Sequence, residues 1–190
     1  MKKEIIILVV IIGLGVFGLA GSRWLVNMGT NSIPGITNTE YRDERFAYQF
    51  FYPNTWTTKK VAFTPGYVEV FSEEKDYSLY FWFESSEEIK NMIDLEDFVK
   101  DLAEYTEKKQ GFKTLKISPQ QLGDLNGFAY DYQDKEGKVS RAYYVADFTP
   151  TSDQNIFVWT VGILNKTDSL EGALSDQEVQ SILSSYRLLE

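Results

Sequence analysis

The chain has 190 residues, 43% hydrophobic and 15% aromatic, with 19 Lys+Arg against 28 Asp+Glu and a formal net charge of −9. It is too apolar for a disordered, solvating segment and too acidic for a nucleic-acid binder, which needs cationic residues to displace counterions from phosphates. Cysteine and histidine are both absent, which excludes disulfides, thiolate nucleophiles, histidine general bases and the usual zinc and copper sites. Only carboxylates, lysines, tyrosines and hydroxyls are left for chemistry, and the sequence assigns no catalytic residue, metal ligand or cofactor.

Residues 5–21 read IIILVVIIGLGVFGLAG, and two incompatible readings compete for them. Gly13, Gly15 and Gly18 spell G-x-G-x-x-G behind an apolar run, the pattern of a dinucleotide-binding turn. That turn requires a second parallel strand closed by an acidic residue. The chain instead reads NSIPGITNTE there, and Pro34 and Gly35 break the run. The other reading is a membrane-spanning helix, which needs about 20 apolar residues. Residues 5–21 supply most of them, and Trp24 extends the helix into the far interface while Arg23 snorkels outward. Lys2 and Lys3 place the N-terminus in the cytoplasm. We therefore expect a transmembrane signal-anchor over residues 1–26, with Ile5, Ile12, Gly13, Phe17, Ala20 and Trp24 in contact with the bilayer. The expected location is the cytoplasmic membrane, single-pass, with the C-terminal domain outside the cytoplasm. Gly18-Leu19-Ala20 is similar to a signal-peptidase site, but apolar residues resume beyond it, so retention is expected. Residues 27–40, rich in Gly, Ser, Thr and Asn, read as a flexible linker with ends roughly 20 Å apart.

A single domain is expected over residues 41–190. Strand formers and turn residues place strands at 46–52, 57–63, 67–71 and 77–83, joined by links short enough for antiparallel hairpins. YSLYFWF over 77–83 is apolar on both alternating faces, with Leu79, Phe81 and Phe83 on one side and Tyr80 and Trp82 on the other. Such a strand lies in the middle of a sheet covered on both sides. A helix follows, N-capped by Asp94, with Leu95, Phe98, Val99 and Leu102 at helical spacing and Gly111 as its stop. Glu96 with Lys100 and Glu104 with Lys108 make i, i+4 pairs on its wet face. Strands are expected again at 112–117, 128–134, 138–148 and 156–164, the last also apolar on both faces. A final helix begins at a capping box from Ser175 to Glu178. The order predicts an α+β fold, an α/β/α sandwich with a central antiparallel sheet flanked by helices and preceded by the N-terminal transmembrane helix.

Several stretches carry a family resemblance: FAYQFFYPNTW at 46–56, EDFVKDL at 96–102, LGDLNGFAYDY at 122–132, IFVWTV at 156–161 and SILSSYRL at 181–188. Together they resemble the PsbP-like domains, named for an extrinsic protein of photosystem II and sharing their fold with a Ran-binding import factor. The resemblance implies a bacterial-type, membrane-anchored member with a non-enzymatic role in binding or assembling a protein complex. The chain lacks a chloroplast transit pattern and histidine ligands, so no role in oxygen evolution is carried over.

Motifs that suggest chemistry have plainer readings beside them. Ser72-Glu73-Glu74-Lys75 matches S-x-x-K but falls in a turn between strands. Glu69, Glu84, Asp131 and Asp147 lie on expected strands, and two of them facing across a cleft would suit glycoside hydrolysis. That gives the alternative function, a carboxylate-dependent hydrolase acting on cell-envelope glycans. Asp131, Asp134 and Glu136 lack the calcium-loop spacing. Asn165-Lys166-Thr167 is a glycosylation sequon. Tyr130, Tyr132, Tyr143 and Tyr144 are expected to offer a surface for a protein partner, since tyrosine combines a large contact area with a polar tip. The expected partners are thus the lipid bilayer, through the N-terminal helix, and an unidentified protein, with no nucleic acid.

Overall fold

The computed structural model describes residues 37–61, 64, 66–85, 94–147 and 157–189. The anchor expected at residues 1–26 lies outside them, and among the described residues no helix is long and apolar enough to cross a membrane. In chain order the elements are β1 (Asn38–Asp43), β2 (Tyr48–Pro53), β3 (Thr57–Lys60), β4 (Val68–Phe71), β5 (Tyr77–Ser85), α1 (Leu95–Tyr105), β6 (Lys113–Leu122), β7 (Leu125–Gln133), β8 (Val139–Asp147), β9 (Phe157–Asn165), α2 (Glu171–Ser175), α3 (Gln177–Ser184) and β10 (Arg187–Leu188).

The strands form a seven-stranded sheet in the order β3-β4-β5-β9-β8-β7-β6 and a three-stranded sheet in the order β1-β2-β10. All pairings are antiparallel. β5 and β9 sit in the middle of the large sheet, as their two apolar faces require. On one face Leu79, Phe81, Trp159, Val161 and Ile163 pack against Tyr48 and Phe50 of the small sheet and Val179, Ile182 and Leu183 of α3. The rings of Phe50 and Phe81 stack at 3.7 Å between centroids, joining the two sheets directly. On the other face Leu95, Phe98, Val99 and Ala103 of α1 cover Tyr130, Tyr132, Ala142, Tyr144 and Val158, while Tyr67, Tyr80 and Trp82 close the rest of that face.

The expected sandwich needs one correction. A helix covers one face of the large sheet, but the other is covered jointly by the small sheet and the short helices α2 and α3. β1 is the missed piece: NTEYRD reads as polar, and Tyr41 is its one buried residue. The folded domain therefore starts inside the expected 27–40 linker.

Asp94 caps α1, its Oδ1 accepting from the Glu96 N–H at 3.0 Å, and the two expected ion pairs form, Lys100 with Glu96 at 2.6 Å and Lys108 with Glu104 at 2.9 Å. The helix does not run on to 109 as a regular α-helix. Residues Thr106–Gln110 widen into a π turn, which turns Thr106 inward to meet the Tyr130 hydroxyl at 2.9 Å. Gly111 then ends the helix in the left-handed region, at φ 71°. At α3 the cap is Asp176, one residue later than the capping box suggests, because Ser175 ends α2 with its Oγ donating to the Glu171 carbonyl.

Asp176 ties the C-terminal helix to the β4–β5 hairpin. Its Oδ1 accepts from the Glu178 N–H at 2.7 Å, and its Oδ2 from Lys75 Nζ at 2.6 Å and from the Tyr77 hydroxyl. Trp56 Nε1 donates to Glu178 beside it at 3.2 Å. Burial acts to raise the Asp176 carboxyl, but the hydrogen bonds from Lys75, Tyr77 and Glu178 outweigh it and hold the group below its ordinary value. Burial and the same carboxylate push the Tyr77 hydroxyl up to about 12.

In the middle of the large sheet Gly162 lies opposite Tyr80, and a Cβ there would overlap the Tyr80 ring. Gly162→Ala should cost about 1–3 kcal/mol by overpacking; pairing it with Tyr80→Leu should recover part of the loss, both read as urea midpoints. Asp176→Asn should cost about 1–2 kcal/mol at pH 7, because hydrogen bonds to a charged group are lost. A carboxylate with a depressed folded pKa stabilises above its unfolded value near 4 and loses that contribution as pH falls through the folded value. Urea unfolding at pH 7 and below pH 4 should therefore show the gap between wild type and Asp176→Asn narrowing in acid.

Candidate binding clefts

β6 and β7 form a long hairpin whose tip is fastened to the end of α3. Gly123 makes this possible: its φ is +61°, and a Cβ there would collide with the Tyr186 carbonyl. With no side chain the tip approaches closely, and the Gly123 N–H donates to the Leu183 carbonyl at 3.1 Å. Leu122 is buried beneath it. Arg187 adds a second tie, its Nε lying 3.7 Å from the Asp124 carboxylate of the tip, while its Nη1 donates to the Ser184 and Tyr186 carbonyls of its own segment at 2.7 and 2.6 Å.

Two clefts flank this fixed tip. The larger, about 710 Å³, lies where α1 begins and is lined by Asp94, Leu95, Pro119, Gln120, Gln121, Asn126, Gly127 and Phe128. The smaller, about 240 Å³, faces α2 and α3 and is lined by Gln120, Gln121, Gly123, Arg141, Tyr143, Leu174, Gln180, Leu183 and Ser184. Gln120 and Gln121 belong to both. Gln121 Nε2 donates to Asn126 Oδ1 at 3.2 Å, and Gln180 Nε2 to the Leu174 carbonyl at 2.7 Å, so the amides of Gln121, Asn126 and Gln180 are held in place. Each amide carries both donors and acceptors, and Leu95, Pro119 and Phe128 supply apolar contact. The smaller cleft also holds the guanidinium of Arg141, which grips Asp131 with two bonds, Nε to Oδ1 at 2.5 Å and Nη2 to Oδ2 at 2.8 Å. This fork geometry is the strong form of the pair, and it leaves the cleft close to neutral.

Of the tyrosines expected to form a partner surface, Tyr143 borders the smaller cleft and the other three lie elsewhere. Tyr130, Tyr132 and Tyr144 are packed beneath α1, whereas Tyr143 faces the opposite core. All four are 2–7% exposed. They are packing residues on two faces of one sheet, because neighbouring residues of a strand alternate sides.

The carboxylates do not converge. Glu69 lies opposite Tyr80 and Asp131 opposite Arg141, which puts them on opposite faces of the large sheet. Glu69 accepts from Ser78 Oγ at 2.8 Å. The side chains of Glu84 and Asp147 lie outside what the structure describes. Asp134 Oδ1 accepts from the backbone N–H groups of Glu136 and Lys138, closing the β7–β8 turn. Among the described residues no group of three or more acidic side chains is placed to hold a metal ion. Ser72 and Lys75 occupy a polar hairpin, as the turn reading expects, with Lys75 engaged by Asp176 and Glu178. Asn165 is 7% exposed, and its Nδ2 donates inward to Thr167 Oγ1 and the Ser169 carbonyl at 2.9 and 2.5 Å. The sequon's acceptor nitrogen is thereby occupied.

The residues missed from sequence are Gln120, Gln121, Asn126 and Arg141. The only signal was a run of amides, PQQLGDLNG, between strand formers. It reads as a loop because it contains proline and glycine, although Pro119 sits on an edge strand that tolerates it.

No protein-family model matches the chain, and no curated protein does. Similarity appears among solved structures. The solution structure of the PsbP of the cyanobacterium Synechocystis sp. PCC 6803 superposes with a TM-score of 0.54 at 18% identity, over 86% of this chain and 98% of that one. LpqN of Mycobacterium tuberculosis, a protein involved in cell envelope biogenesis, gives 0.51 at 14%, over 82% and 92%. The Saccharomyces cerevisiae Ran-binding protein Mog1p gives 0.45 at 13%, over 82% and 97%. At these identities the likeness is one of fold, and the fold is PsbP-like.

Proposed function

We propose that the chain is a membrane-anchored, extracytoplasmic PsbP-like domain that binds a protein partner and helps assemble a complex at the membrane surface. The observation that carries this reading is the pair of clefts sharing Gln120 and Gln121 at a hairpin end fastened by the Gly123 N–H to α3 and by the Arg187–Asp124 ion pair. Held amides beside apolar contact suit recognition of a polypeptide, whose backbone offers one donor and one acceptor per residue. The PsbP-like fold and the cell-envelope role stated for LpqN support the same class of work. The glycan-hydrolase alternative gains nothing from Glu69 and Asp131, which face away from each other across the sheet.

The test is site-specific photo-crosslinking in intact cells with the full chain. A photoreactive residue at Gln120 should give a discrete protein adduct. That adduct should be lost when Asn126→Arg fills the larger cleft with a charged side chain, while the same probe at the exposed Leu115 should give none. An adduct from Gln120 that survives Asn126→Arg, or equal adducts from both positions, would overturn the cleft as the binding surface. Hydrolysis of an envelope glycan that disappears on Asp131→Asn in a folded chain would overturn the non-enzymatic reading.

A further inference from the structure

The strand directions decide which end of the domain lies nearest its N-terminal segment. The described chain enters β1 at Asn38, which pairs with Pro53 at the end of β2, and the Asn54 N–H donates to the Thr37 carbonyl at 2.9 Å. β2 leads from there to Trp56, whose ring lies 6.3 Å from that of Tyr77. Tyr77 opens β5 opposite Asn165, the last residue of β9. The ladder carries the same end across β8, where Arg141 meets Ile163, to Val139 and Gln133. Entry point, Trp56, the β4–β5 turn and the end of β7 at Gln133 thus share one end of the domain.

The clefts are at the other end. Their lining includes Asn126, Gly127 and Phe128 from the start of β7, which runs nine residues from Leu125 to Gln133. At about 3.3 Å per residue, the eight steps along β7 separate the two ends by about 26 Å.

We infer that the amide-lined clefts open on the end of the domain turned away from the bilayer, and that their occupant is the water-exposed part of a protein. This rests on the membrane-anchored reading proposed above. Thr37 follows the proposed anchor, residues 1–26, by eleven positions in the chain, so the entry end is the end tied to the bilayer and the clefts stand farther out by the length of β7. The lining agrees with an aqueous partner. Leu95, Pro119 and Phe128 stand among the amides of Gln120, Gln121 and Asn126 and the carboxylate of Asp94, a mixture that matches the alternating polar and apolar groups of a polypeptide. The acidic chain also repels anionic headgroups.

The chain has no cysteine, so a single introduced cysteine takes a fluorophore at one known place. Thr55 and Gln120 are both exposed, one beside the entry point and the other in the clefts. Thr55→Cys and Gln120→Cys versions of the full chain, shown to keep the wild-type urea midpoint, are labelled and reconstituted in phosphatidylcholine vesicles. A nitroxide-headgroup lipid is then added as quencher. The expected result is flotation with the vesicles, loss of fluorescence from the label at 55 and none from the label at 120. Flotation with equal or stronger quenching at 120 would overturn the inference and leave the anchor standing. Failure to float with the vesicles would overturn the anchored reading and the inference with it. A photoreactive residue at 120 that labelled lipid in these vesicles would overturn the inference alone.

Discussion

Tyr80 lies flat across the backbone of Gly162, on the strand paired with its own, in the space a side chain would otherwise fill. That fit brings β5 and β9 together although both faces of each are lined with large side chains. Once paired, the two strands present Leu79, Phe81, Val161 and Ile163 to one core and Tyr80 and Trp82 to the other. A bulkier residue at 162 would have to displace a buried ring. Fixing its hydroxyl away from water pushes Tyr80 well above the ordinary range, so it stays neutral. Trp159 of β9 reaches across to the β1–β2 turn, its indole N–H donating to the Phe46 carbonyl at 2.8 Å. The small sheet and the large one therefore share a single core.

This central pair also explains why the proposed recognition surface is at an end and not on a face. One face of the large sheet is taken by α1 and the other by the small sheet with α2 and α3. Among the described residues Leu115 is the one large hydrophobic side chain that stands well exposed, at 45%. A single exposed leucine on an edge strand is ordinary. Contact with a partner then falls to places where strands end and turns meet helices. The best fixed of these is the β6–β7 tip, fastened by a backbone hydrogen bond from Gly123 that a side chain there would break.

Much of the architecture was legible in the residues. The two strands with apolar residues on both sides had to be central, the Asp94 cap and the Gly111 stop mark α1, and the S-x-x-K match was a hairpin. What escaped reading depended on contacts between distant parts. β1 is polar except for Tyr41 and becomes a strand only because β2 offers it a partner. The π turn brings Thr106 to Tyr130, a partner 24 residues further along the chain. The cap falls at Asp176 because Ser175 is used to end α2, and Lys75 and Tyr77, far back in the chain, hold the same carboxylate. Tyrosines that looked like a binding face alternate between two cores, which only strand register reveals. Glutamines have no signature chemistry, so Gln120 and Gln121 carry no signal until the hairpin places them between two clefts.

If the β5–β9 pair is what the rest depends on, it must be the last part to open. Native-state hydrogen exchange on residues 37–190, followed amide by amide, measures this directly. The account predicts that amides between β5 and β9 exchange only through global unfolding, with slopes in urea matching the full transition, whereas those of β3 and β10 exchange through local opening. Exchange of the β5–β9 amides by local opening, while α1 or the small sheet stays protected to the global limit, would contradict it.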